Sequence, residues 1–178
     1  MKNQEYVQTE EALGSVVDYF GKQKMIAVDT EFHRERSYFP QIALLQISDG
    51  ERTCCIDPLA IADLSPIGDI LTSHEVIKVI HSASQDLEVF ANTLKLMPVS
   101  LFDTQIGAAF LGLGEQVSYA ALVKHYCNTD LDKAHTRSNW LQRPLSVEQL
   151  DYAADDVLYL AKIYPLMLEE LQIGRAHV

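Results

Sequence analysis

Residues 25–31 have the sequence MIAVDTE, in which a short apolar run leads into two acids separated by one residue. A run that is apolar at every position is typical of a strand buried on both faces of a sheet. Two further strand-like runs follow at 42–48 and 53–56, and Asp49 and Gly50 between them are a strong hairpin signal. The chain therefore starts its sheet with a meander whose buried first strand ends in acids.

Helices and strands alternate outside this meander. Apolar periodicity predicts a helix at 8–20, and further helices are expected at 60–72, 82–96, 104–111 and 118–126. Two more strands are expected at 76–80 and 99–102. Ser146 and Gln149 have the spacing of a capping box that opens a long final helix, which Pro165 should kink or end near 161–164. This order indicates an α/β fold in which helices flank both faces of a mixed five-stranded sheet.

Composition indicates one ordinary domain of 178 residues. No apolar run approaches the roughly 18 residues of a membrane span, and residues 1–6 are polar, unlike a signal peptide. We therefore expect a cytoplasmic protein. Cys54, Cys55 and Cys127 are interpreted as reduced thiols without a catalytic role.

The net charge of −11 argues against a nucleic-acid-binding protein, which usually carries a basic face. Divalent cations bound at an acidic site would offset part of that charge. Basic side chains also form two groups along the chain, His33, Arg34 and Arg36, and then Lys133, His135, Arg137 and Arg143. Either group alone is more simply explained as a solvated surface.

Asp29 and Glu31 are the acids that end the first strand. Residues two apart on a strand point to the same face, where two carboxylates repel each other unless cations lie between them. Mg²⁺ and Mn²⁺ prefer such oxygen ligands. An Asp-x-Glu triplet is weak evidence by itself, but these acids emerge from a buried strand.

Three other positions could add acids to that site. Asp86 is expected in the first turn of a helix, where it also stabilises the helix dipole. Asp156 lies four residues after Tyr152 on the final helix, but spacing cannot separate it from its rival Asp155. Asp103 is explained as a helix N-cap and is excluded. Phosphodiester hydrolysis by two metal ions requires several carboxylates that converge from different elements.

These residues stand within longer motifs that resemble the ribonuclease D family. DTEFHRERSYFPQIALLQIS at 29–48, HSASQDLEVF at 81–90 and YAADDV at 152–157 resemble its first, second and third exonuclease motifs. LDK at 131–133 and RSNWLQRPL at 137–145 are also similar to the family. The resemblance covers about residues 5–170, in the family's order and spacing.

The resemblance implies a ribonuclease-H-like fold and a 3′→5′ exoribonuclease that uses two divalent ions, Mg²⁺ or Mn²⁺. Its metal ligands would be Asp29, Glu31, Asp86 and Asp156. Tyr152 would orient the attacking water, and its position selects Asp156 over Asp155. Asp151 stands where the related histidine subclass has its histidine. The family trims transfer-RNA precursors and other structured RNAs to release nucleoside 5′-monophosphates.

RNA contacts are expected just after Asp29 and Glu31, within the first motif, and in the segment before the final helix. The candidates are Arg34, Arg36, Tyr38, Gln41, Lys133, Arg137 and Arg143. The protein is expected to be a monomer without a membrane partner. The alternatives are a DNA-directed exonuclease of the same superfamily and a non-catalytic RNA-binding module that uses the same fold.

The exonuclease domain is expected to occupy residues 1–172. Residues 173–178, IGRAHV, do not resemble the family and match the translation of a common sequencing-adapter stretch. We therefore expect the natural protein to continue beyond Val178 into the helical RNA-binding modules of the family, which this chain lacks.

Overall fold

The computed structural model describes residues 4–34, 39–131 and 138–175. Its strands are β1 (Gln4–Val7), β2 (Met25–His33), β3 (Gln41–Ser48), β4 (Thr53–Ile56), β5 (Ile77–Ile80) and β6 (Leu101–Asp103). Its helices are α1 (Glu10–Phe20), α2 (Ser65–Leu71), α3 (Ser84–Thr93), α4 (Thr104–Phe110), α5 (Tyr119–Cys127) and α6 (Val147–Arg175).

The strands form one mixed sheet in the order β1-β4-β3-β2-β5-β6. The meander β2-β3-β4 is antiparallel, whereas β5 pairs parallel with β2, β6 with β5, and β1 with β4. The α/β class and the five expected strands are confirmed, but the number five is wrong because β1 adds a sixth strand. Residues 4–7 are a strand because they pair with β4, some fifty residues away, and local sequence does not show that pairing.

Side chains of β2 alternate between two helical layers. Ile26 and Val28 pack in the main core with apolar residues of α1, α2 and α3. Ala27 faces the opposite way and packs against Val157 and Leu160 of α6. Because this alternation continues along the strand, residues 29 and 31 belong to the face that α6 covers.

The expected capping box at the start of α6 is confirmed. The Gln149 amide donates to the Ser146 hydroxyl at 3.1 Å, and the Ser146 amide donates to Gln149 Oε1 at 3.0 Å. Two outcomes were expected at Pro165, a kink or an end of the helix near 161–164, and the end is wrong because α6 continues through Pro165 to Arg175. Buried Tyr164 and Met167, on either side of the exposed proline, hold both halves against the rest of the domain.

Asp103 joins the starts of two helices. Its carboxylate caps α4 by accepting from the amide of Gln105, which confirms the N-cap interpretation. It also accepts hydrogen bonds from the amides of Ser82 and Ala83, at 3.0 and 2.9 Å, just before α3. Asp103 therefore fixes the position of α3, which carries one of the predicted site acids.

Two further expectations concern the chain as a whole. Within the described ranges, no helix is both long enough and apolar enough to cross a membrane. Cys54, Cys55 and Cys127 are free thiols, and the first two are buried in the sheet.

Candidate active site

Asp29 and Glu31 lie on β2 as the strand periodicity predicts. Both are half-buried and follow Ala27 on the face covered by α6. The neighbouring strand β3 places Gln46 directly opposite Asp29. The pairing register of β2 and β3 shifts between Glu31 and Phe32, so the strand changes course immediately after the second acid.

Helix α6 brings Asp156 to the same two acids. One carboxylate oxygen from each of Asp29, Glu31 and Asp156 lies within 4.8 Å of the other two. We refer to these three residues as the acidic cluster. An all-oxygen set of ligands at this spacing fits a hard divalent cation, so the residues present match the metal that the motifs imply.

Asp86 lies in the first turn of α3 beside the acidic cluster. β5 pairs with β2 only as far as Val79 and Ala27, which leaves the next part of that edge of β2 open to α3. Asp86 Oδ1 accepts hydrogen bonds there from the Thr30 amide at 3.1 Å and the Thr30 hydroxyl at 2.5 Å. The fourth predicted acid is therefore tied to the residue between Asp29 and Glu31.

Burial raises the pKa of all four acids, and repulsion from the other site acids adds to the rise for Asp29 and Glu31. Burial, followed by the charges of Asp86, Asp156 and Glu31, raises the pKa of Asp29 well above its usual value. Burial, followed by Asp156 and Asp86, raises the pKa of Glu31 to about 9. Burial also raises the pKa of Asp156 to about 7 and that of Asp86 to about 6. Bound cations would stabilise the ionised form of every one of these groups.

Tyr152 lies one helical turn before Asp156. Its hydroxyl makes a hydrogen bond to the Asp156 side chain that opposes the rise in the pKa of that acid. The centre of its ring lies 6.1 Å from the centre of the Trp140 ring. Trp140 is buried in the segment before α6. The predicted tyrosine therefore has its hydroxyl at the acidic cluster.

Tyr119 of α5 is a site neighbour that the sequence analysis missed. Its hydroxyl donates to the Asp155 carbonyl at 2.7 Å, and the charges of Asp156 and Asp29 add to burial in raising its pKa. Its ring also contacts His81, at 5.6 Å between ring centres. Its place in the sequence, directly after the cap residue Ser118, gave no signal of this role.

Of the seven predicted RNA contacts, Arg34, Gln41 and Arg143 can be located. Arg34 follows β2 and forms an exposed ion pair with Glu88 of α3. Gln41 is exposed at the start of β3, where it pairs with His33. The predictions for Arg36, Tyr38, Lys133 and Arg137 fall outside the described residues.

Arg143 is engaged within the protein. Its Nε and Nη2 atoms donate to the two carboxylate oxygens of Asp57 at 2.6 and 2.7 Å. Its Nη2 and Nη1 atoms also donate to the carbonyls of Ala43 and Trp140, both at 2.7 Å. These contacts use the donors that an RNA phosphate would need, so they favour a structural role for Arg143, and its RNA contact stays a prediction.

Comparison with known proteins places the chain in a family. The model of the 3′–5′ exonuclease domain matches residues 4–172. Ribonuclease D of Haemophilus influenzae is 46% identical over 160 residues, which are 90% of this chain and 40% of that protein. Ribonuclease D of Zymomonas mobilis is 44% identical over 162 residues, which are 90% of this chain and 42% of that protein.

Solved structures agree with the sequence relatives. The crystal structure of Escherichia coli RNase D, described as an exoribonuclease involved in structured RNA processing, has a TM-score of 0.93 and 42% identity. It covers 96% of this chain, which spans 46% of that structure. The catalytic core of RRP6 from Trypanosoma brucei has a TM-score of 0.86 and 28% identity, over 97% of this chain and 51% of that one.

The chain spans less than half the length of the two curated relatives described above. These relatives confirm the resemblance to ribonuclease D that the three motifs indicated. The expected ribonuclease-H-like arrangement of a mixed sheet between helices is likewise confirmed. On the family match from residue 4 to residue 172, this chain belongs to the 3′–5′ exonuclease family.

Proposed function

We propose that this chain is the catalytic part of a metal-dependent 3′→5′ exoribonuclease. The observation that carries the proposal is the acidic cluster, whose three carboxylates come from β2 and α6 and approach within 4.8 Å of one another. Buried like charges destabilise a fold, and the raised pKa values of these acids reflect that cost. Such an arrangement is expected where bound cations compensate it.

The acidic cluster and Asp86 would together hold two divalent ions, Mg²⁺ or Mn²⁺. When bound, two such ions polarise the attacking water and stabilise the charge on the departing oxygen. Asp29 and Glu31 would contribute oxygens from β2, and Asp156 would contribute them from α6, which covers that face of the strand. Asp86 would contribute oxygens from α3, which lies beside the edge of β2. Hydrogen bonds from Thr30 orient Asp86 independently of the cations.

Tyr152 would hold the attacking water. Its hydroxyl bonds the Asp156 side chain, so it is close to the acidic cluster, where that water would bind. Attack of that water at the terminal phosphorus forms a new P–O bond and breaks the bond to the 3′ oxygen of the preceding nucleotide. The product is a nucleoside 5′-monophosphate, and the shortened RNA keeps a 3′ hydroxyl.

The RNA would approach from the end of β2 that lies beyond Glu31. Arg34 and Gln41 are at that end, exposed at the surface. Arg36, Tyr38, Lys133 and Arg137 remain proposed contacts on the family resemblance.

Transfer-RNA precursors are the proposed substrates, because the similar Escherichia coli protein is involved in structured RNA processing. We place this activity in a monomer in the cytoplasm, where the free thiols would stay reduced.

A 3′-extended transfer RNA tests the proposal directly. Wild type with Mg²⁺ should shorten it one nucleotide at a time from the 3′ end and release 5′-monophosphates. Asp29→Asn should fold, as judged by circular dichroism, and should leave the RNA intact, as should wild type with chelator. Trimming by Asp29→Asn at the wild-type rate would refute the assigned chemistry.

Two other outcomes distinguish the competing functions. Faster trimming of a DNA strand than of an RNA of the same sequence would favour a DNA-directed exonuclease. Metal-independent RNA binding without any trimming would favour a binding module. We do not expect a binding module, since all four acids and Tyr152 are present. We do not expect a preference for DNA, since residues 131–133 and 137–145 resemble the ribonuclease D family.

A further inference from the structure

Gln46 is a buried polar residue in the middle of β3. Its side chain is completely inaccessible to solvent, and neither Oε1 nor Nε2 has a hydrogen-bond partner among the described residues. Burying an amide without partners costs free energy that a leucine or methionine would avoid. Ser48, two residues later on the same strand, is also buried but bonds the Thr53 hydroxyl at 2.8 Å.

The position of Gln46 connects it to the acidic cluster. Gln46 stands directly opposite Asp29 in the antiparallel pair of β2 and β3, so both side chains leave the same face of the sheet. Directly opposed residues have Cβ atoms about 4.5–5.5 Å apart, which is within reach of a glutamine amide and an aspartate carboxylate. The polar end of Gln46 can therefore meet Asp29 by rotation of its side chain.

The neighbour on the other side of Gln46 offers no comparable partner. Cys55 of β4 is paired with Gln46 there and is fully buried. Burial raises the pKa of its thiol to about 12, so it is a neutral, weak hydrogen-bonding group. The carboxylate of Asp29 is the stronger acceptor beside the Gln46 amide.

We propose that Gln46 is a positioning residue for Asp29, whose carboxylate accepts a hydrogen bond from Gln46 Nε2 when Asp29 binds a divalent cation. This inference rests on the proposed function, since it assumes that Asp29 is a metal ligand. Hydrogen bonds from residues behind a ligand fix its orientation and are typically worth 10–100-fold in metal affinity. Gln46 thus carries an unsatisfied amide in the metal-free protein and gains a partner in the metal-bound one.

The test compares Gln46→Met with wild type, since methionine has nearly the same shape without the amide. Mn²⁺ affinity is measured by calorimetry, and the unfolding temperature is measured in chelator. We expect the variant to unfold at the wild-type temperature or above it, and to bind Mn²⁺ about 10–100-fold more weakly. Gln23→Met is the matched control, because the Gln23 amide donates to the Tyr19 carbonyl on α1, and its affinity should equal that of wild type.

Each outcome is decisive. Wild-type Mn²⁺ affinity in Gln46→Met would overturn the role of Gln46 and leave the proposed function standing. If wild type itself shows no Mn²⁺ binding that Asp29→Asn removes, the proposed function fails. Gln46→Leu is measured in the same way, and a similar loss of Mn²⁺ affinity in both variants would show that the loss does not come from the shape of methionine. If both variants fail to fold in chelator, Gln46 is a structural residue and the proposal is wrong.

Discussion

Asp86 accepts two hydrogen bonds from Thr30, one from its amide at 3.1 Å and one from its hydroxyl at 2.5 Å. Thr30 is the residue between Asp29 and Glu31, but its own side chain leaves the opposite face of β2. The acid of α3 is therefore aligned with the two acids of the strand by a protein contact. This contact is present without any cation, so it orients Asp86 before metal binding.

Thr30→Val should test how Thr30 orients Asp86 without disrupting the fold. Valine keeps the shape of threonine and the amide bond but removes the hydroxyl donor. We expect kcat on 3′-extended RNA to fall about tenfold, in line with the loss of a hydrogen bond that orients a metal ligand. Thr30→Ser keeps the hydroxyl and should retain most of the activity. Equal rates for the valine and serine variants would show that the hydroxyl does not orient Asp86.

Tyr119→Phe tests whether the hydroxyl of Tyr119 helps to position the neighbouring acid Asp156. The Tyr119 hydroxyl holds the carbonyl of Asp155, one residue before Asp156. One such bond is worth about 1 kcal/mol, so we expect kcat to fall about fivefold with little change in KM. Tyr126→Phe, on the same helix, removes an exposed hydroxyl that bonds Glu170 and should leave kcat unchanged. A similar loss in both variants would point to a general effect on α5.

Metal binding should strengthen as pH rises. The pKa values of Asp86, Asp156 and Glu31 are raised to about 6, 7 and 9, so the metal-free site holds protons near neutral pH. A cation must displace those protons, and its Kd should therefore fall from pH 6 to pH 9, the interval that these pKa values span. Calorimetry with Mg²⁺ in buffers of different ionisation enthalpy measures both the Kd and the protons released.

Glu31→Gln provides the control for this pH dependence. It removes the group with the pKa of about 9, so proton release above pH 8 should be smaller than in wild type. A wild-type Kd that stays constant from pH 6 to pH 9 would contradict the prediction.

The positions of the site residues along their own elements could be predicted from the sequence. Strand periodicity placed Asp29 and Glu31 on one face, and the early turn of α3 placed Asp86. Spacing could not choose between Asp155 and Asp156, because both lie about one turn from Tyr152. The family motif made that choice, and the acidic cluster contains Asp156.

Contacts between distant parts of the chain explain what could not be predicted. Arg143 resembled a surface cation, but its partner Asp57 lies 86 residues earlier in the chain. Gln46 stood in an apolar run, and its relation to Asp29 depends on the pairing register of β2 and β3. Pro165 was expected to kink or end the final helix, but α6 does not end there, because tertiary packing around the proline maintains it.

Arg143→Ala should destabilise the fold without changing the RNA interaction of the folded protein. The buried carboxylate of Asp57 would lose a two-bond partner, and breaking such a pair costs about 3–5 kcal/mol. Arg34→Ala removes an exposed pair with Glu88 and should cost less than about 1 kcal/mol. Urea denaturation of the two variants measures the difference.

The RNA role of Arg143 is tested by KM. If Arg143→Ala leaves the KM for RNA unchanged below its unfolding temperature, the structural assignment stands. A clear rise in KM with wild-type stability would restore the role expected from the sequence. Arg143→Lys should also destabilise, because lysine cannot make the paired contact with both carboxylate oxygens.

Lys78 should make stability depend on alkaline pH. Its side chain is completely buried in β5, where Nζ donates to the carbonyls of Ser73 and Val76 at 2.6 Å each. Burial lowers its pKa to about 8, whereas an unfolded lysine titrates near 10.4. Between these values the unfolded chain holds a proton that the folded chain has lost, so this group adds stability as pH rises.

Lys78→Met removes this contribution. The stability of the variant relative to wild type should be highest at pH 7 and should decline by pH 9.5, because wild type gains stability over that interval and methionine does not. Chemical denaturation of both proteins in chelator measures the difference in their free energies of unfolding. Other groups that titrate in the same range contribute equally to both proteins, so their effects cancel in this difference. Lys124→Met, which removes an exposed ion pair with Asp130, should differ from wild type by the same small amount at both pH values. A pH-independent difference for Lys78→Met would mean that Lys78 keeps its proton in the folded protein up to pH 9.5.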